Sequence, residues 1–431
     1  MKNSNTVSGS FGLSGSIKIP GDKSISHRAV MFGSIAGGVT RVSNFLESGD
    51  CLSTISCFKA MGVAIERKGS NVKIKGAGFF GLKAPRRVLD AGNSGTTARL
   101  MLGILAGQAF SSKITGDASL RGRPMKRVTG PLRQMGAKIT GRDGGNFAPL
   151  TVTGGKLSPI NYRSKVASAQ VKSCLLLAGL FAKGKTTVSE PQKSRDHTER
   201  MLVKFGVKLS VKGNKVSLRG GQRLKGTSIE VPGDISSAAF FLVAGSIVPG
   251  SKLTLQNVGT NPTRTGVLEV LKRMGAKIRL TNLRGGKAEP SADITVEYAP
   301  LKGVTVGGSI IPRLIDEIPA LAAAASAAKG KTIFRNIGEL RVKESDRIKT
   351  VCSELAKFGV KTKELPDGMI IYGGAGLKAA RTESYGDHRI AMMAAVLGQA
   401  VSGKTIISDT ACIGTSFPGF FGLLRSLQKK G

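Results

Sequence analysis

LKRMGAKI, residues 271–278, joins the end of one hydrophobic pattern to the start of another through a Met-Gly pair. A hydrophobe, two residues, then Met or Phe, Gly, and Val or Ala lead into a Lys-rich alternating stretch. The same arrangement occurs as FKAMGVAI (58–65), LRQMGAKI (132–139), LVKFGVKL (202–209) and LAKFGVKT (355–362). Its glycines, Gly62, Gly136, Gly206, Gly275 and Gly359, are 74, 70, 69 and 84 residues apart. A signature that returns at this spacing marks a repeated structural unit, and a repeat governs every later fold assignment.

A second element recurs between these points: an Ala-, Leu- and Gly-rich segment with a polar start. Its copies begin near Ser24, Ser94, Ser168, Ser236, Asp316 and His388. They are apolar nearly all round, so six buried helices are expected. Glycine and a short β-branched strand follow most of them, as in GKTTVSE (184–190), GSKLTLQNV (250–258), GKTIFRNI (330–337) and GKTIISD (403–409). The Met/Phe-Gly segments carry Lys and Glu on one side and are expected to be surface helices. Each unit reads as strand, buried helix, strand, outer helix and paired strands, an α/β arrangement. Six units fit 431 residues, but the sixth stops after FFGLLRSL (420–427) without its strands. The segment VSGSFGLSGSIKIPG (7–21) has their pattern, so residues 1–19 are expected to complete the last unit. Three units then form a continuous domain, 20–234, and three a discontinuous one, 1–19 plus 235–431. Chain crossings near Pro20 and near Pro232-Gly233 are the expected hinge.

The bulk properties agree. The chain is too long for one ordinary core, and 40% hydrophobic with 21% charged residues is a globular composition. No apolar run approaches the ~18 residues of a spanning helix. MKNSNTVSGSFG (1–12) lacks the apolar region of a signal peptide, so a cytoplasmic location is expected. Cys51, Cys57, Cys174, Cys352 and Cys412 form no CxxC pair and read as reduced thiols packed as small hydrophobes. Lys and Arg number 65 against 27 Asp and Glu, a formal net charge of +38. The cations are spread along the chain rather than gathered in a tail. They fit an acidic small substrate, nucleic acid or an anionic surface. Aromatics are only 5% and Trp is absent, so platforms for stacking bases are scarce.

The unusual residues lie at the starts of the buried helices. PGDKSISHRA (20–29) places Lys23 and Arg28 beside the cap-type residues Asp22 and Ser24. A cation in a first turn opposes the helix dipole by ~0.3–1 kcal/mol. LDAGNSGTTARL (89–100) carries Asn93, Ser94, Gly95, Thr96 and Arg99, and SKVASAQVKS (164–173) carries Ser168 and Gln170. The fourth start has Asp234, Ser236 and Ser237, the fifth Asp316 and Glu317, and YGDHRIAM (385–392) has Asp387, His388 and Arg389. If three such helices pack side by side in each domain, their starts share one face. Open N–H groups, glycine and cations there make an anion site, and an anion beside Lys23 explains its adverse position. Taken singly, each feature has a plainer reading. Ser94, Ser168 and Asp387 could be ordinary caps. ASLRGRP (118–124) could be an exposed basic loop. RVKESDR (341–347) could be a solvated helix face pairing Glu344 or Lys343 with Arg347. His27 reads as a structural hydrogen-bonder. The three histidines have no metal-ligand spacing, so no metal is expected, and no Walker or Rossmann glycine loop occurs.

Taken in order, PGDKSISHRA, GNSGTTARL (92–100), GRP (122–124), SAQVKS (168–173), SRDHTE (194–199), LIDEIP (314–319), RVKESDR, GDHR (386–389) and TSFPGF (415–420) resemble the motifs of the 5-enolpyruvylshikimate-3-phosphate (EPSP) synthase family. The resemblance runs from about residue 8 to 427. It implies the family's fold, a two-domain inside-out α/β barrel of six βαβαββ repeats, three per domain, which closes to form the site. It implies transfer of the enolpyruvyl group of phosphoenolpyruvate to the 5-hydroxyl of shikimate 3-phosphate, with release of phosphate. The reaction belongs to the shikimate pathway towards chorismate and aromatic amino acids. No cofactor, metal, specific nucleic acid or membrane is implied, and the chain is expected to be a monomer.

For shikimate 3-phosphate the resemblance implies Lys23, Ser24, Arg28, Ser168, Gln170, Arg195, Asp316 and Lys343. For phosphoenolpyruvate it implies Lys23, Gly95, Arg123, Gln170, Arg347 and Arg389. Asp316 is implied to take the 5-hydroxyl proton, Glu344 to handle the proton at the methylene carbon, and Lys23 to stabilise developing charge and the leaving phosphate. Three positions depart from the pattern: Ala169 stands where some members have a second Ser, Glu339 where many have Asn, and Thr415 where some have Lys. Gly95 leaves space where bulkier residues in the family are linked to glyphosate tolerance. The sister transferase acting on UDP-N-acetylglucosamine usually has a Cys, sometimes Asp, in the loop that here reads DASLRGRP (117–124); this loop has no Cys, and DKSISHR replaces the sister's Lys-Asn form. A nucleic-acid clamp would use the net charge but would not need Asp316, Glu344 and Gln170 among its cations.

Overall fold

The repeated Met/Phe-Gly pair is a helix stop. Helices Gly49–Ala60, Lys126–Gln134, His197–Lys204, Gly266–Arg273 and Arg347–Lys357 are followed at once by Met61, Met135, Phe205, Met274 and Phe358, all buried. The glycine after each has φ of +86°, +97°, +88°, +98° and +83° in chain order. That left-handed conformation costs an L-residue ~1–2 kcal/mol and glycine almost nothing. The next N–H then reaches back to a carbonyl the helix leaves open, as from Val63 to Phe58 (3.1 Å) and from Val207 to Leu202 (2.9 Å). The reversed chain enters a strand, Ala64–Lys68 in the first repeat and Lys277–Arg284 in the fourth.

The computed structural model describes residues 3–285, 288–374 and 376–429. The first two and last two residues of the expected discontinuous domain therefore lie outside the described residues. The polar-start segments form α1 (Lys23–Ile35), α2 (Gly95–Leu105), α3 (Ala169–Phe181), α4 (Ile235–Ile247), α5 (Ile318–Ala327) and α6 (His388–Gln399). Every residue of α4 is buried, as its all-round apolar pattern requires. Small residues let such helices approach closely. A Cβ on Gly103 of α2 would overlap the carbonyl of Cys174 in α3.

The chain divides into two compact units, Gly21–Val231 and Met1–Pro20 with Pro232–Gly431. The first contains α1–α3 and a core that includes Phe32, Leu102, Leu176 and Phe205. The second contains α4–α6 and a core that includes Phe241, Leu321, Ala394 and Phe417.

Among the described residues there are five four-stranded sheets and one three-stranded sheet. In the second repeat, Leu89–Asp90 runs parallel to Ser111–Thr115, with α2 as the crossover. Phe147–Thr153 then pairs antiparallel with Ser111–Thr115 and with Lys138–Gly141. A parallel crossover followed by a hairpin is the βαβαββ unit that the spacing suggested.

The N-terminal strands correct one expectation. Asn5–Ser8 pairs antiparallel with Lys404–Ser408 and joins the sixth repeat. Ser14–Lys18 does not join it; this strand pairs parallel with Lys252–Gly259 of the fourth. Connectivity gives the reason. Ser14–Lys18 leads into α1, but α1 belongs to the other unit, whose matching edge strand is Ser228–Glu230, paired parallel with Gly37–Ser43. That strand in turn leads into α4. The strands preceding the two crossings are thus exchanged between the first and fourth repeats.

All five cysteines are free, and Cys51, Cys57, Cys174 and Cys352 are buried. Among the described residues no helix is long and apolar enough to cross a membrane.

Candidate active site

In the 21–231 unit, α1 opens on Asp22, whose Oδ1 accepts the Ile25 N–H at 2.9 Å. Lys23 follows, and its Nζ lies 3.1 Å from Asp50 Oδ2 on helix Gly49–Ala60. Asp50 offsets the adverse dipole interaction, while the Lys23 side chain stays 20% exposed. Arg28 is buried one turn on. It donates to the Ser24 carbonyl (2.9 Å), Thr198 Oγ1 (2.7 Å) and Ser173 Oγ (2.8 Å). These three acceptors are neutral groups that orient the guanidinium. His27 is fully buried, with Nδ1 2.7 Å from Thr54 Oγ1. Burial first, then Lys23 and Arg28, push its pKa well below the ordinary imidazole value. It is therefore a neutral structural group.

Ser94 caps α2 by accepting the Thr97 N–H at 3.0 Å. A Cβ on Gly95 would lie 2.9 Å from Arg99 Nη1 and 3.6 Å from Arg123 Nη1. Two guanidinium groups thus flank the open start of a helix, where the dipole also favours an anion. Arg123 is not on an exposed loop. It is buried, and its Nη2 donates to Asn93 Oδ1 (2.7 Å) and Ser119 Oγ (2.9 Å). Gln170 joins this group, accepting from Arg99 at 2.8 Å and donating to Thr96 Oγ1 at 3.2 Å. Ser168 caps α3, Ala169 is its first residue, and Arg195 stands part-exposed in the loop before helix His197–Lys204. No carboxylate of residues 155–229 is exposed, and in the sheet register Lys185 faces Arg219 and Lys212 faces Lys215.

In the other unit, RVKESDR is not a solvated helix face. Its helix begins at Arg347, capped by Asp346, and the Arg347 side chain is 1% exposed. Arg347 donates to Asp387 through Nε (2.7 Å) and Nη2 (3.1 Å) and to Glu344 Oε2 (2.6 Å); its Nη1 lies 3.5 Å from Asp316 Oδ1. Burial alone would lower its pKa; Asp387, then Glu344, with Asp316, hold it raised, so it stays charged. Lys343 pairs with Asp316 at 3.1 Å, not with Arg347. Arg389 donates to the Asp316 carbonyl at 2.7 Å. Asp316, Lys343, Glu344, Arg347 and Arg389 are therefore one cluster. Cations fixed against carboxylates can hold an anionic ligand and exchange a proton with it. Thr415 donates to the Cys412 carbonyl at 2.7 Å and lies 3.5 Å from His388 Nδ1, while Glu339 lies in the turn Gly338–Val342.

The sequence hid the partners of two acidic residues at these sites. Asp50, the partner of Lys23, looks like any acidic residue in a first turn. Asp387 reads only as the cap of α6, which it is, accepting the Arg389 N–H at 2.9 Å; nothing local reveals that it also binds Arg347. Among the described residues no three His, Cys, Asp or Glu side chains are grouped to hold a metal ion.

Residues 7–424 match the family EPSP synthase (3-phosphoshikimate 1-carboxyvinyltransferase). A 3-phosphoshikimate 1-carboxyvinyltransferase of Bacillus cereus is 59% identical over 418 residues, 97% of each chain. One from Bacillus thuringiensis has the same identity and coverage. Among solved structures, EPSP synthase from Acinetobacter baumannii superposes with a TM-score of 0.88 at 46% identity, covering 99% of this chain and 98% of that one. The enolpyruvyl transferase NikO of Streptomyces tendae shares the fold, with a TM-score of 0.81 at 17% identity over 98% and 96% of the two chains. By a match over nearly its whole length, the chain belongs to the EPSP synthase family.

Proposed function

We propose that this chain transfers the enolpyruvyl group of phosphoenolpyruvate to the 5-hydroxyl of shikimate 3-phosphate with the side chains gathered at its helix starts. Lys23, Ser24, Arg28, Ser168, Gln170, Arg195 and Lys343 bind shikimate 3-phosphate, while Lys23, Gly95, Arg123, Gln170, Arg347 and Arg389 bind phosphoenolpyruvate. Glu344 gives a proton to the methylene carbon, C3, and positive charge develops at C2. The 5-hydroxyl oxygen attacks C2 as Asp316 takes its proton. In the second half, C3 returns a proton to Glu344, the bond from C2 to the phosphate oxygen breaks, and Lys23 stabilises the departing phosphate. Fixed cations act here as preorganised electrostatic stabilisation.

The observation that carries this reading is the setting of Asp316. Its carboxylate touches Lys343 and its carbonyl holds Arg389, so a base is fixed beside cations suited to anionic substrates. Asp316→Ala tests it. General-base removal lowers kcat by about 10²–10⁴ while both substrates still bind; an unchanged kcat removes Asp316 from the chemistry. We further take the chain to act as a monomer in the cytoplasm, where buried free thiols such as Cys51 and Cys174 stay reduced.

A further inference from the structure

We infer that Glu190 is a positioning residue for shikimate 3-phosphate, held in place by the buried cation Lys172; the inference rests on the roles proposed above for Ser168, Arg195 and Arg28. Lys172 lies on α3, one turn after Ser168. Its Nζ is 2.9 Å from Glu190 Oε2 and 2.8 Å from Glu199 Oε1, with side-chain exposures of 1%, 2% and 5%. Burial alone would lower the Lys172 pKa, but Glu199 and Glu190 hold it raised, so the ammonium is retained. A buried ionic cluster is a poor device for stability alone, because apolar residues of similar volume serve as well or better.

What the carboxylates hold gives them a purpose. Glu190 Oε1 accepts the Ser168 N–H (2.9 Å) and the Ser194 hydroxyl (2.6 Å), and its Oε2 is 2.9 Å from that hydroxyl. One side chain therefore fixes the first turn of α3 to the loop that carries Arg195. Glu199 lies beside Thr198, whose hydroxyl accepts from Arg28 and is 2.6 Å from Ser173 Oγ. Lys172 thus ties down both the Ser168–Arg195 edge and the residues that orient Arg28. The buried cluster acts on the ligand only through these groups.

Glu190→Gln keeps the shape but removes the charge and one acceptor. Shikimate 3-phosphate KM should rise about tenfold, with kcat and phosphoenolpyruvate KM within about threefold of wild type. Glu190→Asp, which keeps the charge, should recover part of that loss. In a Ser168→Ala, Arg195→Ala background, where both side chains it positions are gone, the effect of Glu190→Gln should shrink to under about threefold, because coupled residues are not additive. A lower denaturation midpoint with both KM values unchanged would overturn the inference, as would full additivity. Ser168→Ala and Arg195→Ala separate the two layers of the argument. If these leave shikimate 3-phosphate KM unchanged, the site reading fails; if they raise it and Glu190→Gln does not, the positioning role fails. Should Glu190→Gln not fold by circular dichroism, Ser194→Ala carries the test, with a raised shikimate 3-phosphate KM expected and an unchanged one overturning the role.

Discussion

Asp387→Asn removes one charge from a place closed to bulk solvent. Asp387 is fully buried and Arg347 is 1% exposed. The carboxylate serves four donors: Arg347 Nε, Arg347 Nη2, the Ser345 hydroxyl and the Arg389 N–H. Asn has a single oxygen. With that oxygen at the Oδ1 position, the helix cap and the Nη2 contact survive, but the Nε and Ser345 contacts are lost. A hydrogen bond to a charged group is worth ~1.5–3 kcal/mol, and breaking a buried ion pair outright costs ~3–5 kcal/mol. Arg347 keeps Glu344 and Asp316 as partners, so the loss should fall between these limits, ~2–4 kcal/mol. Urea denaturation followed by far-ultraviolet circular dichroism measures it, since the chain has no Trp. Arg347 would also settle against its remaining carboxylates, and phosphoenolpyruvate KM should rise about tenfold or more. A stability loss under ~0.5 kcal/mol with an unchanged KM would refute the reasoning, since it would fall below the least expected of a buried charged pair.

Lys23→Met should abolish detectable turnover, because it removes the cation assigned to the leaving phosphate; full activity would sink that assignment. His27 makes stability depend on pH. Its folded pKa is depressed, so below about 6.5 the unfolded chain binds a proton that the folded chain does not. Its contribution is complete above that pH and is lost as pH falls towards the folded value, by at most ~1.4 kcal/mol per unit. The stability difference between wild type and His27→Gln should therefore vary with pH below about 6.5 and level off above it; a constant difference would contradict a neutral buried imidazole. Gly206→Ala should cost ~1 kcal/mol with activity intact, because nothing lies within 4 Å of the added Cβ and only the φ of +88° is strained. No loss would refute the helix-stop argument.

The α/β repeat was legible because its signals are local. A left-handed position after a buried Met or Phe calls for glycine, so Gly62 and its counterparts announce themselves at regular intervals. The all-apolar helices announce themselves as well, since no surface helix has the composition of α4. Pairing across distance was not legible. Ser14–Lys18 has strand character, but nothing in it says that Lys252–Gly259 is its partner. The environment of Arg347 was hidden for the same reason. RVKESDR has the alternating charges of a solvated helix, and the burial of its Arg347 depends on Asp387, 40 residues away. The sequence placed unusual residues at helix starts; the contacts of Lys23 with Asp50 and of Asp316 with Lys343 are long-range facts that only folding supplies.

The most direct test of the central claim is phosphate release from phosphoenolpyruvate by the purified chain, with shikimate 3-phosphate in one reaction and UDP-N-acetylglucosamine in another. The account requires release with shikimate 3-phosphate alone. Release with the nucleotide sugar instead, or with neither, would contradict it.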